Sequence, residues 1–191
     1  MNKYKIVKEG EMFRIIALKF FGTVKKGEKG GLIKNENNLS QNGNAWISDN
    51  AWISDNARIS DNARISDNAQ ISDNAQISGN ARIFGNAWIS GNAQISGDAR
   101  ISGDAQIFGD AWISGNAWIS GNAWSKSPLF IAGTRHTLTN AKCGHIKIGC
   151  HLKTIEWWVK NYNNIGKIEN YTEEEIKEYG LYIKLFQKIG K

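Results

Sequence analysis

The chain has 191 residues, with 24 Lys and Arg against 18 Asp and Glu, one Pro and two Cys. Its length suits one domain or one elongated array and is short for a multi-domain enzyme, and a composition of 41% hydrophobic and 22% charged residues is ordinary for a globular protein. No apolar run approaches the roughly 20 residues of a membrane span, Met1 to Lys8 lacks the apolar stretch of a secretory signal, and two cysteines make no disulfide framework, so the expectation is a soluble, cytoplasmic protein with no membrane partner.

The net charge of +6 is unevenly laid out. Residues 1–40 carry nine basic and four acidic side chains, residues 41–124 four and eight, and residues 125–191 eleven and six. Basic ends flank an acidic middle, which argues against a polyanion wrapping the whole molecule.

In chain order, Tyr4 to Val7 and Phe13 to Phe21 are rich in Ile, Phe and Val and read as strands, followed by a Gly-rich basic turn from Lys25 to Gly31. Ile33 and Leu39 fall in the register of the alanines that follow, so irregular coiling is expected to begin before the clean repeats. Residues 1–40 are thus an N-terminal β cap and a lead-in to the array.

A six-residue repeat, Ala-x-Ile-Ser-Asp/Gly-Asn/Asp, then dominates. Ala recurs at every sixth position from 45 to 123, fourteen copies, and Ile from 47 to 119, thirteen copies, without an insertion. A period of six fits neither a helix nor a heptad, whereas residues two apart share one side of an extended strand. Each hexad is therefore a short strand plus a turn built from residue types that tolerate left-handed backbone. Such a strand cannot bury its face alone, and coiling the chain so that each strand pairs in parallel with its equivalents above and below solves this: a β-solenoid.

With an aliphatic residue every sixth position and a small residue four later, as in Ile47 and Ala51 or Ile53 and Ala57, the array resembles the hexapeptide-repeat family. The resemblance implies a left-handed parallel β-helix of triangular section with three hexads per coil. Residues eighteen apart then stack at about 4.8 Å, and the x positions form three outward ladders. The first holds Trp46, Arg64, Arg82, Arg100 and Trp118, the second Trp52, Gln70, Trp88, Gln106 and Trp124, and the third Arg58, Gln76, Gln94 and Trp112. The Ser slot is interrupted by Phe84 on the first face and Phe108 on the second. Two readings stand side by side: the rings lie over neighbouring stems or under segments from the two ends, or they form an interface, since Trp and Arg are enriched at binding hot spots. The interface reading names Trp46, Arg64, Arg82, Phe84, Arg100 and Trp118.

Beyond the array, Leu129 and Ile131 keep the Ala and Ile registers, so coiling is expected to continue past Trp124. The C-terminal part, residues 128–191, starts at Pro128 and holds two helix signals. Thr154 before Ile-Glu-Trp-Trp-Val reads as the N-cap of a helix near 154–162, and Thr172-Glu-Glu-Glu is a capping box opening a helix near 173–187. Ile176, Tyr179, Ile183 and Phe186 share one face of the second helix at 3/4 spacing, a packing stripe. The whole layout is similar to small hexapeptide-array proteins of phages and prophages: Gly30-Gly31 and Asn38-Leu39-Ser40 before the array, Ile146 to His151 after it, and Glu178 to Gly180 in an acidic-capped helix. That resemblance implies an interaction device such as a counter-defence inhibitor of a host system, for instance CRISPR-Cas.

Many hexapeptide-repeat proteins are acyltransferases with a histidine base in the coil. No histidine lies between Gln41 and Trp124, so the family's base maps to no residue of the regular coils, and His136 is the surviving candidate. Cys143, His145, Cys150 and His151 are zinc-type ligands, but neighbours on a strand point to opposite sides, so a buried or half-buried cysteine in a cap strand is the preferred reading and no metal is expected. Asp49 over Asp67 and Asp55 over Asp73 pair carboxylates on the corners, where solvation is the default.

The expected protein is mainly β: a left-handed parallel β-helix over residues 41–127, an N-terminal β cap, and a C-terminal β/α cap with two helices. The expected function is non-catalytic binding of a macromolecule through Arg and Trp ladders, without cofactor, a protein being the preferred partner and nucleic acid admitted at the Arg ladder or the basic ends. The alternatives are a divergent acyltransferase using His136 and a self-assembling module that forms a homo-oligomer.

Overall fold

The hexads place Ala and Ile on one side of a short extended stretch and turn at a fifth residue of positive φ. The structure, a computed structural model, describes residues 2–120, 123–124 and 129–190, with Ala123, Trp124 and Lys142 described by backbone alone. Asp49, Asp55, Asp61, Asp67 and Asp73 take φ of 52–59°, and from Gly79 to Gly115 glycine occupies the same corner at 61–78°. Left-handed backbone costs an ordinary L residue about 1–2 kcal/mol, a penalty that Gly escapes and Asp tolerates.

The corners return the chain over itself every eighteen residues. Arg64 pairs with Arg82 and Arg82 with Arg100, Trp52 with Gln70 and Gln70 with Trp88, Arg58 with Gln76 and Gln76 with Gln94, all in parallel. Three hexads therefore make a coil, as the ladders require. The amides of the x residues from Trp46 to Gln94 donate to an alanine carbonyl one coil on, as Trp46 N does to Ala63 O at 3.0 Å. Every repeat Ala from Ala45 to Ala117 and every repeat Ile from Ile47 to Ile119 is buried. The molecule is mainly β, a β-solenoid followed by two C-terminal helices.

The chain divides into two compact units, residues 1–116 with 120–127, and residues 117–119 with 128–191. In the first unit, strands β1 (Tyr4–Glu9), β2 (Met12–Ala17) and β3 (Lys29–Ile33) form an antiparallel series, and β3 pairs in parallel with the Trp52–Ile53 rung. The turn expected from Lys25 to Gly31 is therefore shorter, because Gly30 and Gly31 are buried strand residues. A Cβ on them would fall 2.5 Å from Ile15 Cγ1 and 2.3 Å from the Ala51 carbonyl oxygen. The strand expected to reach Phe21 stops at Ala17, where Leu18 N turns to Lys3 O.

Two register expectations also fail. Ile33 pairs with Ile53 and Leu39 with Ile59, twenty residues apart instead of eighteen, so both fill Ile slots. Two extra residues between Leu39 and Ile47 shift both side chains from the slot of the small residue to that of the large aliphatic one. At the far end Ala123 pairs with Gln106 and Trp124 with Ile107, one residue off the expected stacking of Trp124 on Gln106. That last hexad has Ser125 where the others have Ile, so it lacks the residue that anchors register.

In the second unit β4 (Phe130–Ala132), β5 (Thr137–Lys142), β6 (His145–Ile148) and β7 (His151–Thr154) form an antiparallel sheet. Coiling thus does not continue through Leu129 and Ile131, since Ile131 pairs antiparallel with Leu138. Helix α1 (Ile155–Ile168) starts at the Thr154 cap and α2 (Glu173–Ile189) at the Thr172–Glu175 capping box. The first outruns its expected end near Tyr162 because Gly166 lets Ile176 of α2 approach closely; a Cβ there would meet Ile176 Cγ1 at 2.6 Å. Ile176, Tyr179, Ile183 and Phe186 are buried, and the last three pack in one core with Leu138, Ile146, Ile148 and Trp158. Among the described residues no helix is long and apolar enough to cross a membrane.

Candidate functional site

The three ladders differ in what covers them. On the first face Trp46 is 2% exposed, its ring met edge-on by Phe21 at 5.4 Å. Arg64 is half-buried beside Gly22, whereas Arg82 and Arg100 are exposed, with Phe84 36% exposed at the next corner. On the second face Trp52 and Gln70 are half-buried, and Trp88 and Gln106 are exposed. On the third face Arg58, Gln76, Gln94 and Trp112 are all exposed, Trp112 by 66%. Trp46 is therefore withdrawn from the expected binding surface, because the segment after β2 covers it. Trp118, grouped with the second unit, is partly exposed and carries the Lys147 ammonium 3.2 Å from its ring centroid, a cation–π contact.

Arg64, Arg82 and Arg100 stand on successive rungs in register. Like charges directly opposite each other in a sheet repel, by up to about 1 kcal/mol per pair in water. No ion pair offsets this among the described residues: the salt bridges engage Arg14, Lys34, Arg135 and His151 instead. The column is therefore a stripe of positive charge that no ion pair among the described residues neutralises.

Beneath it lies a cluster of donors. The first coil presents carbonyls with no strand below, and N-terminal side chains cover several of them. Lys3 Nζ donates to Ala45 O at 3.0 Å and Asn42 O at 3.4 Å, Tyr4 OH to Leu39 O at 2.6 Å, and Asn38 Nδ2 to Ala57 O at 2.8 Å. Burial, with the charges of Arg64 and Lys19, brings the Lys3 pKa down to about 8. Sequence reading missed this arrangement, as nothing in the spacing of Lys3 marks it as buried.

The corners are chemically committed. The Asp61, Asp67 and Asp73 carboxylates accept from Gly79 N at 2.9 Å, Gly85 N at 2.8 Å and Gly91 N at 2.8 Å, which gives these exposed side chains a structural task. The neighbouring Asn residues form amide ladders that run one way, Asn44 to Asn62 to Asn80 to Asp98 at 3.0, 3.1 and 3.0 Å. Two more run from Asn50 to Asp104 and from Asn56 to Asp110.

The second unit holds a narrow cleft whose lining includes His136, Cys150, His151, Trp158, Glu169 and Tyr171. His151 Nε2 lies 3.4 Å from Glu169 Oε1. His136 is exposed, its carbonyl accepting from Tyr179 OH at 2.8 Å and its amide donating to the same hydroxyl. Burial, followed by the neighbouring Tyr179, pushes the Tyr171 pKa up to about 12. Cys143 and Cys150 are both exposed, against the expectation of a half-buried cysteine, because each sits in a hairpin turn beside a positive-φ glycine, Gly144 or Gly149. Their neighbours diverge: His145 Nδ1 is 2.9 Å from Cys143 O, while His151 faces Glu169. Among the described residues no three His, Cys, Asp or Glu side chains stand together as a metal site.

Four stretches of the array, residues 57–73, 75–91, 93–109 and 105–121, match the family model described as the YdcK beta solenoid repeat. Each match spans close to one coil, and together they cover about a third of the chain. A search of curated proteins gives no match. The chain is a β-solenoid repeat protein.

Proposed function

We propose that this solenoid is a non-catalytic, left-handed binding module whose Arg82–Arg100 stripe, with Phe84 beside it, engages a macromolecular partner. The observation that carries the reading is the in-register stack of arginines, without an ion pair among the described residues. A surface that tolerates such repulsion gains most from an acidic counterpart. The partner is a protein rather than a nucleic acid, because acidic corners such as Asp98 and Asp104 rim the stripe and repel a phosphate backbone. The finer assignment, a phage- or prophage-encoded inhibitor of a host system, is supported by the resemblance in layout alone.

A tagged pull-down from bacterial lysate tests the reading, with Arg82→Glu/Arg100→Glu and the third-face control Arg58→Glu beside the native protein. A nuclease-resistant partner retained by the native protein and the control, and lost from the double variant, is the expected result. Equal recovery by all three chains sinks the face assignment, and recovery of the chain alone favours the self-assembling module. The acyltransferase reading keeps one favourable observation, the placement of His136 on the cleft with His151 and Glu169. Acyl-CoA turnover abolished in His136→Ala would establish it.

A further inference from the structure

The base of the first-face ladder gathers donors that outnumber their acceptors. Trp46 is 98% buried, yet its Nε1–H has no hydrogen-bond partner. A buried unsatisfied donor in a native protein points to a water or an ion that completes it. Two cations belong to the same end of the ladder. Lys3 Nζ is bonded to the carbonyl of Ala45, the residue before Trp46, and lies 5.2 Å from the centroid of Phe21, the ring packed edge-on against the indole. Arg64 is paired in register with Trp46 on the next rung, its guanidinium placed against Gly22. Neither cation has a salt bridge among the described residues. The carboxylate whose charge reaches Arg64 is Glu28, and its Oε2 accepts from Lys25 N at 3.0 Å.

Lys3 is 1% exposed. A buried ammonium held by carbonyl dipoles, without an opposite charge, is poorly compensated, and an incoming anion would relieve it while accepting from the indole and from the guanidinium fork. We infer that Lys3, Trp46 Nε1 and Arg64 together make a binding site for a small oxyanion, of the phosphate or carboxylate class. The site lies wholly within the first unit and does not depend on whether Arg82 and Arg100 bind a partner.

Titration of the full-length protein with inorganic phosphate, against sodium chloride at matched ionic strength, tests this through the indole N–H resonances, Trp46 being assigned by Trp46→Phe. The expected result is a saturable shift of the Trp46 signal with phosphate and not with chloride, accompanied by a rise in melting temperature. Arg64→Gln, which leaves the Lys3 contacts in place, should weaken phosphate by about tenfold, the worth of one charge-assisted hydrogen bond. Trp46→Phe keeps an aromatic ring over Phe21 and should reduce the stabilisation by phosphate. An indole signal indifferent to phosphate would mean that water alone completes the donor and overturns the site. The same holds for equal responses to phosphate and chloride, or an undiminished response in Arg64→Gln.

Discussion

The first coils of the array and the later ones are built from the same hexad, yet they stand in different environments. In the first, the corners are aspartates whose carboxylates reach a backbone amide one coil on, and on the first two faces the x residues Trp46, Trp52, Arg64 and Gln70 are buried or half-buried, while Arg58 on the third is exposed. In the later coils the corners are glycines, and Arg82, Trp88, Arg100, Gln106 and Trp112 face solvent. One residue type at one repeat position can therefore be core in one coil and surface in another. What decides is coverage by non-periodic chain, and a binding surface has to be sought where that coverage ends.

The sharpest test of this contrast uses the two tryptophans. Trp46→Ala should cost about 3–5 kcal/mol, as truncation of a buried aromatic does, whereas Trp112→Ala should stay within about 0.5 kcal/mol. Urea unfolding of both variants measures it, and similar losses would erase the distinction. The corners come next. Gly97→Ala combines left-handed strain with a Cβ only 2.7 Å from Gly115 N, for a loss of about 2–3 kcal/mol. Asp67→Gly exchanges one solvent-exposed hydrogen bond for an unstrained corner and should move the unfolding midpoint by less than about 0.5 kcal/mol.

A smaller effect belongs to the covered end. Because the folded Lys3 loses its proton near pH 8 and the unfolded chain near 10.5, the unfolded state holds more protons between those values. Stability should therefore rise with pH across that window, while below pH 8 the cost of the buried charge is paid in full. The gain is on the order of 1–2 kcal/mol. Comparing the pH dependence of unfolding in the native protein and in Lys3→Met isolates it; identical curves would remove Lys3 from the account.

The periodic part of this fold was legible because a six-residue period leaves a single economical solution, and the eighteen-residue stacking followed from it. Capped helices were legible for the same local reason, Thr154 and Thr172 being unambiguous starts. The failures sit where tertiary packing overrides local pattern. Ile33 and Leu39 keep the alanine spacing, but two extra residues before Ile47 move them into isoleucine slots, and Gly30 and Gly31 look like a turn until a neighbouring strand needs their missing side chains. The stacking of Arg64, Arg82 and Arg100 could be foreseen, but the burial of Trp46 beneath Phe21 could not, since a contact between segments 25 residues apart leaves no periodic mark.

The one-way Asn ladders bear on how such a gene can change length. Each ladder links residues one full coil apart and ends on an aspartate, which accepts from the amide below it. Replication slippage that adds or deletes a single hexad would turn everything beyond it by a third of a revolution, placing each later arginine on a different wall and each corner over the wrong neighbour. Gain or loss of three hexads leaves walls and ladders in phase. Lineages of this protein should therefore differ in length by multiples of eighteen residues far more often than by six, wherever one wall is under selection.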